Sequence, residues 1–223
     1  MMVRAKSETP WKVPEKWTVS RYSFEPEVRA GWQLPKRVIV HDSTLRDGEQ
    51  TPGVVFRKDE KLKIAHALED AGVQRIEGGM PAVSAEDAEA LRAMTREIKH
   101  SEIAAFVRTR QDDIDLALKC NVQRIVMEIG AGDDYIQRIW GSRVKAVEAV
   151  VEAARHGKEK GLKVNFFLMN STMADLGLLR ELILPAVNEG KVDSIAIVDT
   201  AGNTYPAAFA WLVGQVKKMV RFQ

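Results

Sequence analysis

The sequence predicts an α/β protein, a (β/α)8 TIM barrel of which about six βα units are present in this chain. Three observations predict it. From Val38 onward, short β-rich runs alternate with amphipathic helical runs, and strict alternation of that kind means parallel strands joined by right-handed crossovers. Polar residues recur where the strand runs stop: Arg46 and Asp47, Glu77, Arg108, Glu128, Asn170, Asp199 and Thr200. A barrel gathers its active site at that end. The first strand-to-helix turn reads STLRDGEQTPG and not G-x-G-x-x-G, which counts against the doubly wound nucleotide fold that alternation alone would also allow.

Taken in order, residues 1–37 form an N-terminal arm or extension and residues 38–223 the barrel domain, which stops after its sixth helix. The stretch WKVPEKWTVSRYSFEPEVRAGW in the arm is rich in Trp, Pro and charge without a sustained period, which suits a short hairpin whose tryptophans pack on something. The strand candidates are RVIVHD, VQRIEGGM, EIAAFVR, VQRIVMEI, LKVNFFLM and VDSIAIVD, each enriched in β-branched or apolar residues. Helices are expected at about 58–71, 84–99, 112–120, 142–160, 175–188 and 206–222. Ser84 with Asp87 three residues on resembles a capping box, and Gly72 and Gly161 stand where helices should stop. In the last helix Phe209, Leu212, Val213, Val216 and Val220 make one apolar stripe. The run EIGAGDDYIQRIWG, Glu128 to Gly141, reads as an active-site loop over the barrel mouth. Because a barrel needs eight units, either the polypeptide is incomplete or something else closes it.

Composition narrows the function. With 223 residues, 45% hydrophobic and 29% charged, the chain can bury one sizeable core. A net charge of +2 without a basic run interleaved with aromatics gives no sign of a nucleic-acid partner. No apolar stretch approaches membrane-spanning length, so no membrane partner is expected. Cys120 is the only cysteine and reads as packing at a helix end. With no secretory signal at the N-terminus, the expected location is cytoplasmic.

The charged run after the first strand admits two readings. In one, Arg46 pairs with Asp47 or Asp42 in a solvated turn. In the other, a carboxylate grips a hard divalent cation while the adjacent guanidinium stabilises a developing oxyanion. Pattern alone leaves both open.

The stretch DSTLRDGEQTPG resembles the D-x-T-L-R-[DE]-G-x-Q signature of the metal-dependent Claisen-condensing TIM barrels, the 2-isopropylmalate, homocitrate and citramalate synthases, related to 3-hydroxy-3-methylglutaryl-CoA lyase. AGVQRIEGGMP and IVDTAGNTYP are similar to the family's second and sixth strands. The resemblance implies an acyltransferase that joins acetyl-CoA, or another acyl-CoA, to a 2-oxo acid with the help of Mg, Mn or Zn. Asp47 would be a metal ligand and Arg46 the catalytic cation beside it. Gln50 would line the pocket, Glu77 would support it from the second strand, and Thr200 would hold the substrate carboxylate, with Arg108 and Asn170 as further substrate contacts.

The departures from that family are specific. Its H-x-H metal pair is missing, since the chain has only His41, His66, His100 and His156. His66, His100 and His156 fall on helices or just past them and should lie outside the barrel, and His41 should alternate away from the mouth. The fifth strand carries MNSTMAD where many synthases have a Glu-Asp pair and a downstream Arg. Two alternatives accompany the synthase: a carbon–carbon lyase or aldolase, and a catalytically silent barrel subunit. Open sheet edges favour a homodimer.

Overall fold

The structure, a computed structural model, describes residues 10–15, 17–32 and 35–220. The chain divides into two compact units, Met1–Val38 and Ile39–Gln223. In the first, β1 (Lys12–Val13) and β2 (Trp17–Thr18) form an antiparallel hairpin. A 3-10 turn (Arg21–Phe24) and the short helix α1 (Pro26–Arg29) follow, with proline at the first helical position. The Arg29 guanidinium lies 4.0 Å from the centre of the Phe24 ring and 5.5 Å from that of Trp32, so the arm's aromatics pack within their own unit.

The second unit carries six parallel strands: β3 (His41–Asp42), β4 (Arg75–Gly79), β5 (Glu102–Arg108), β6 (Arg124–Gly130), β7 (Lys163–Met169) and β8 (Ser194–Ile197). Their spatial order is their chain order. A doubly wound sheet reverses direction at a switch point, and this one does not, so the architecture is a partial (β/α)8 barrel. The helices are α2 (Lys58–Asp70), α3 (Ala85–Glu97), α4 (Gln111–Leu118), α5 (Asp133–Trp140), α6 (Arg143–Glu159), α7 (Leu176–Asn188) and α8 (Pro206–Met219).

Alternation along the strands separates two faces. Ile103, Ala105 and Val107, Ile125, Met127 and Ile129, and Val164, Phe166 and Leu168 join helix residues such as Leu91, Met94, Ile114, Val150 and Leu182 in the main core. The opposite face carries a separate small cluster, Ala104, Phe106 and Val126 with Met80 and Phe167. This is the barrel interior, and it is where polar groups sit. Sheet and helix are in close contact at Gly78, where an added Cβ would lie 2.8 Å from Leu91 and 2.9 Å from Met94.

Near the start of the strands, the interior face holds a charged layer. Glu102 accepts from Arg75 Nε at 3.0 Å, Arg124 Nε at 2.9 Å and Lys163 Nζ at 3.0 Å. Burial alone would raise the Glu102 carboxyl, but hydrogen bonds from Lys163, Arg124 and Arg75 outweigh it and bring the pKa to about 2.

Four expectations change. The strand RVIVHD contracts to His41–Asp42, with Val38, Ile39 and Val40 exposed. Among the described residues it is an outer strand with β4 as its one neighbour. The Glu128–Gly141 run is not a loop, because Asp133–Trp140 is helical. Asp133 and Asp134 occupy the first turn, where acidic groups complement the helix dipole, and Gly141 closes the helix in the left-handed conformation at φ 76°. The last helix ends at Met219, because Val220, expected on its apolar stripe, is extended at φ −128° and ψ 148°, and residues 221–222 of the expected range lie outside the described residues. Ser84 accepts from the Asp87 N–H as a cap, but the Asp87 side chain turns to Lys61 and does not close a box.

Candidate active site at the strand ends

After β3 the chain turns back on itself. The Thr44 N–H and hydroxyl both donate to the Asp42 carboxylate, at 2.9 and 3.2 Å. The Ser43 carbonyl accepts from the N–H groups of Arg46, Asp47 and Gly48. Leu45 is fully buried and anchors this turn to the core. The two charges that follow it therefore diverge: the Arg46 side chain is 10% exposed and the Asp47 side chain 61%.

Arg46 enters the barrel interior. Its Nε donates to Glu77 Oε2 at 2.6 Å, its Nη1 to Asp47 Oδ1 at 2.6 Å, and its guanidinium carbon sits 4.1 Å from the centre of the Phe106 ring. Two carboxylates and an aromatic face thus fix the planar fork, as an ammonium could not be fixed. Glu77 is buried and placed by an irregularity in the β4–β5 pairing between Glu77 and Gly79, the latter at φ 142°. Burial would raise the Glu77 carboxyl, but His41 and Arg46 together hold it below its ordinary value.

His41 corrects an expectation. It faces the interior, with Nε2 at 2.8 Å from Glu77 Oε1 but off line for a straight hydrogen bond. Because β3 is so short, the residue's direction follows from its pairing with Arg75, an interior position, and not from a long alternating run. His66 and His156 lie on helices as expected, and His156 Nε2 contacts Asp115 Oδ1 at 2.7 Å. Glu77 does not pair with Arg75 or Arg108, the partners a purely structural role suggested.

These groups line an open cavity of about 740 Å³ with Asp47, Gln50, Glu128, Asn165, Phe167, Met169, Asp199 and Thr200. A second cavity of about 390 Å³ lies behind the turn, bounded by Val55, Phe56, Met80 and Val83. Arg46 and Gln50 border both.

Thr200 accepts the Asn170 N–H at 2.9 Å, which leaves its own hydroxyl proton free to donate. Asn170, in the left-handed conformation at φ 59°, belongs to the supporting turn and not to the cavity lining. Asp199 caps the turn after β8, accepting from the Thr172 hydroxyl at 2.9 Å and the Thr204 N–H at 3.0 Å, and these bonds lower its carboxyl pKa. Arg108 is directed elsewhere: its Nε and Nη2 grip Asp113 at 2.8 and 2.7 Å, and it lies outside the cavity lining.

Sequence reasoning missed Lys61, which is 1% exposed. Its ammonium bridges Glu49 at 2.6 Å and Asp87, and Glu49 also accepts the Phe56 N–H at 2.9 Å. This contact ties the Arg46–Gln50 turn to α2 and α3. A lysine at one helical position carries no sign that it turns inward.

Among the described residues there is no group of three or more His, Cys, Asp or Glu that could hold a metal ion. Asp47 offers one hard oxygen donor, already paired with Arg46, so these residues do not fit a complete divalent-cation site. No helix of the described residues is long and apolar enough to cross a membrane.

Residues 37–223 match the HMGL-like family. The chain is 32% identical over 207 residues to homocitrate synthase AksA of Methanothermobacter thermautotrophicus, spanning 92% of this chain and 52% of that protein. It is 40% identical over 181 residues to a probable 2-isopropylmalate synthase of Ignicoccus hospitalis, spanning 81% of this chain and 45% of that one. It therefore covers about half the length of these relatives. In fold it resembles the Bacillus subtilis HMG-CoA lyase, with TM-score 0.71 and 17% identity over 82% of this chain and 65% of that one.

Proposed function

Because the chain belongs to the HMGL-like family, we propose that its cavity serves a Claisen condensation, in which acetyl-CoA is joined to a 2-oxo acid and coenzyme A is released. The observation that carries this reading is Arg46, fixed by Glu77, Asp47 and Phe106 at the mouth of the barrel interior, where two cavities meet. Two reactants need two adjoining spaces and a cation between them. In the reaction, the enol carbon of the thioester bonds to the keto carbon, and the keto π electrons move onto oxygen. The Arg46 guanidinium stabilises that charge in a site shielded by Phe106 and Phe167. The Thr200 hydroxyl donates to the substrate carboxylate, and Gln50 orients the reactants from the wall between the cavities. Glu77 holds Arg46 in place. Asn170 acts through Thr200, and Arg108 stays with Asp113. Asp47 would be one donor to a divalent cation, which would polarise the keto oxygen as a Lewis acid. A two-fold pairing of chains and a cytoplasmic location complete the reading.

Product analysis with acetyl-CoA and a panel of 2-oxo acids tests it. A 2-hydroxy acid extended by a carboxymethyl group, with one equivalent of free coenzyme A, is the expected result. Cleavage of a 3-hydroxyacyl thioester without condensation would point instead to a lyase.

A further inference from the structure

One interior carboxylate has no role in the chemistry so far. Glu128 lies on β6, half-buried in the same cavity as Arg46 and Glu77. Among the described residues its carboxylate forms no hydrogen bond and no ion pair. Its register neighbours explain why. On β7 it faces Phe167, which offers no donor. On β5 it faces Arg108, a cation in position to neutralise it. That guanidinium is turned away by Asp113, which is 1% exposed and takes Nε, Nη2 and the Arg108 N–H together. The fold thus keeps a ready counter-ion from reaching Glu128.

The other groups near it are Arg46, across the cavity, and Tyr135 on α5. The Tyr135 ring covers Gly130 at the end of β6, where an added Cβ would lie 2.5 Å from it, and so encloses the strand end beside Glu128. Burial moves the Glu128 carboxyl above the usual carboxylate range, and the Arg46 charge offsets this in part. A carboxylate left unpaired and half-buried is a stronger base than one in water, and it can both take and return a proton.

We propose that Glu128 is the proton carrier of this cavity, taking a proton from the α-carbon of the acyl thioester and returning it to the new alkoxide. This rests on the Claisen reading above. The C–H electron pair becomes the enolate double bond, and the thioester carbonyl pair moves onto oxygen. After the enolate carbon has bonded to the keto carbon, the protonated Glu128 gives its proton to the alkoxide beside Arg46 and regains its charge. Protons and electrons balance without a further reactant, and hydrolysis then releases coenzyme A.

The test is exchange of the acetyl-CoA methyl protons with deuterium oxide, followed by mass spectrometry on the full-length protein, with thioester binding measured in parallel by calorimetry. Glu128→Gln, close to isosteric, should slow exchange by roughly a hundredfold or more while changing the thioester Kd less than about threefold. Glu128→Asp, which keeps the carboxylate one methylene further away, should recover part of the rate. Exchange that is equal in wild type and Glu128→Gln, or that is lost with no recovery in Glu128→Asp, would overturn the role of Glu128 while leaving the Claisen reading intact. A wild-type protein that binds no acyl thioester would overturn the Claisen reading itself, and Glu128 with it.

Discussion

Arg46 shows how a single residue acquires its role from its surroundings. Its fork is held by Glu77 and Asp47 over the Phe106 ring, so Arg46→Lys keeps the charge but loses the planar geometry. If the proposed condensation is right, steady-state kinetics should show kcat lowered by roughly a hundredfold or more, with binding of the oxo acid less affected. Equal losses in both would make it a substrate clamp. Glu102 allows a test by pH. Its folded pKa of about 2 lies below its ordinary value of 4.5, so it stabilises the fold above that value and the contribution fades as pH falls toward 2. The melting-temperature gap between wild type and Glu102→Gln should accordingly be full at pH 7 and close between about pH 4.5 and 2. A gap independent of pH would show that the carboxylate's charge is not what matters. The chemical types at the site were legible in the sequence, because RDG directly behind a strand end brings a cation and a carboxylate together. Their directions were not. Whether Arg46 or Asp47 enters the barrel depends on Leu45 being buried, and the inward turn of His41 depends on a pairing with Arg75 that the sequence does not display.

Elements were legible in proportion to how many neighbours constrain them. EIAAFVR is the observed strand β5 to the residue, since its five middle residues, Ile103 to Val107, are all apolar and buried. The outer strand RVIVHD is also apolar at its start but forms only two residues of ladder, with β4 as its one strand partner among the described residues. Asp133–Trp140 was hidden for another reason. Gly130, Gly132 and two aspartates signal a loop, although the same aspartates also stabilise a helix start. Lys61 links elements in a way no periodic pattern reveals, joining the turn that carries Arg46 to two helices through Glu49 and Asp87. Lys61→Met fills a similar volume but leaves two largely buried carboxylates facing each other. It should lower stability by about 3 kcal/mol in urea denaturation, as removal of one partner from a buried ion pair does. Lys61→Arg should recover part of that loss. An unchanged urea midpoint in Lys61→Met would mean that the turn is held by backbone contacts alone.

At the scale of the whole molecule, the decisive property is that the sheet is open. Among the described residues β3 and β8 each have one strand partner, and both end the sheet with an edge that no further strand covers. Val38, Ile39 and Val40, leading into β3, are 69%, 48% and 51% exposed. The interior cluster around Phe106 and Val126, which a closed barrel would cover on all sides, faces only what six strands can place there. A polypeptide of these 223 residues should therefore self-associate through strand edges. Multi-angle light scattering across a concentration series should give an average mass above 24.9 kDa that rises with concentration. Val40→Lys places a charge beside the β3 edge, at a side chain already half exposed, and should reduce association without unfolding the sheet, as lysines do on natural edge strands. An association unmoved by Val40→Lys would place the contact elsewhere. A monodisperse monomer at every concentration would show that the edges are already covered, and the open interior could then not be what drives chains together.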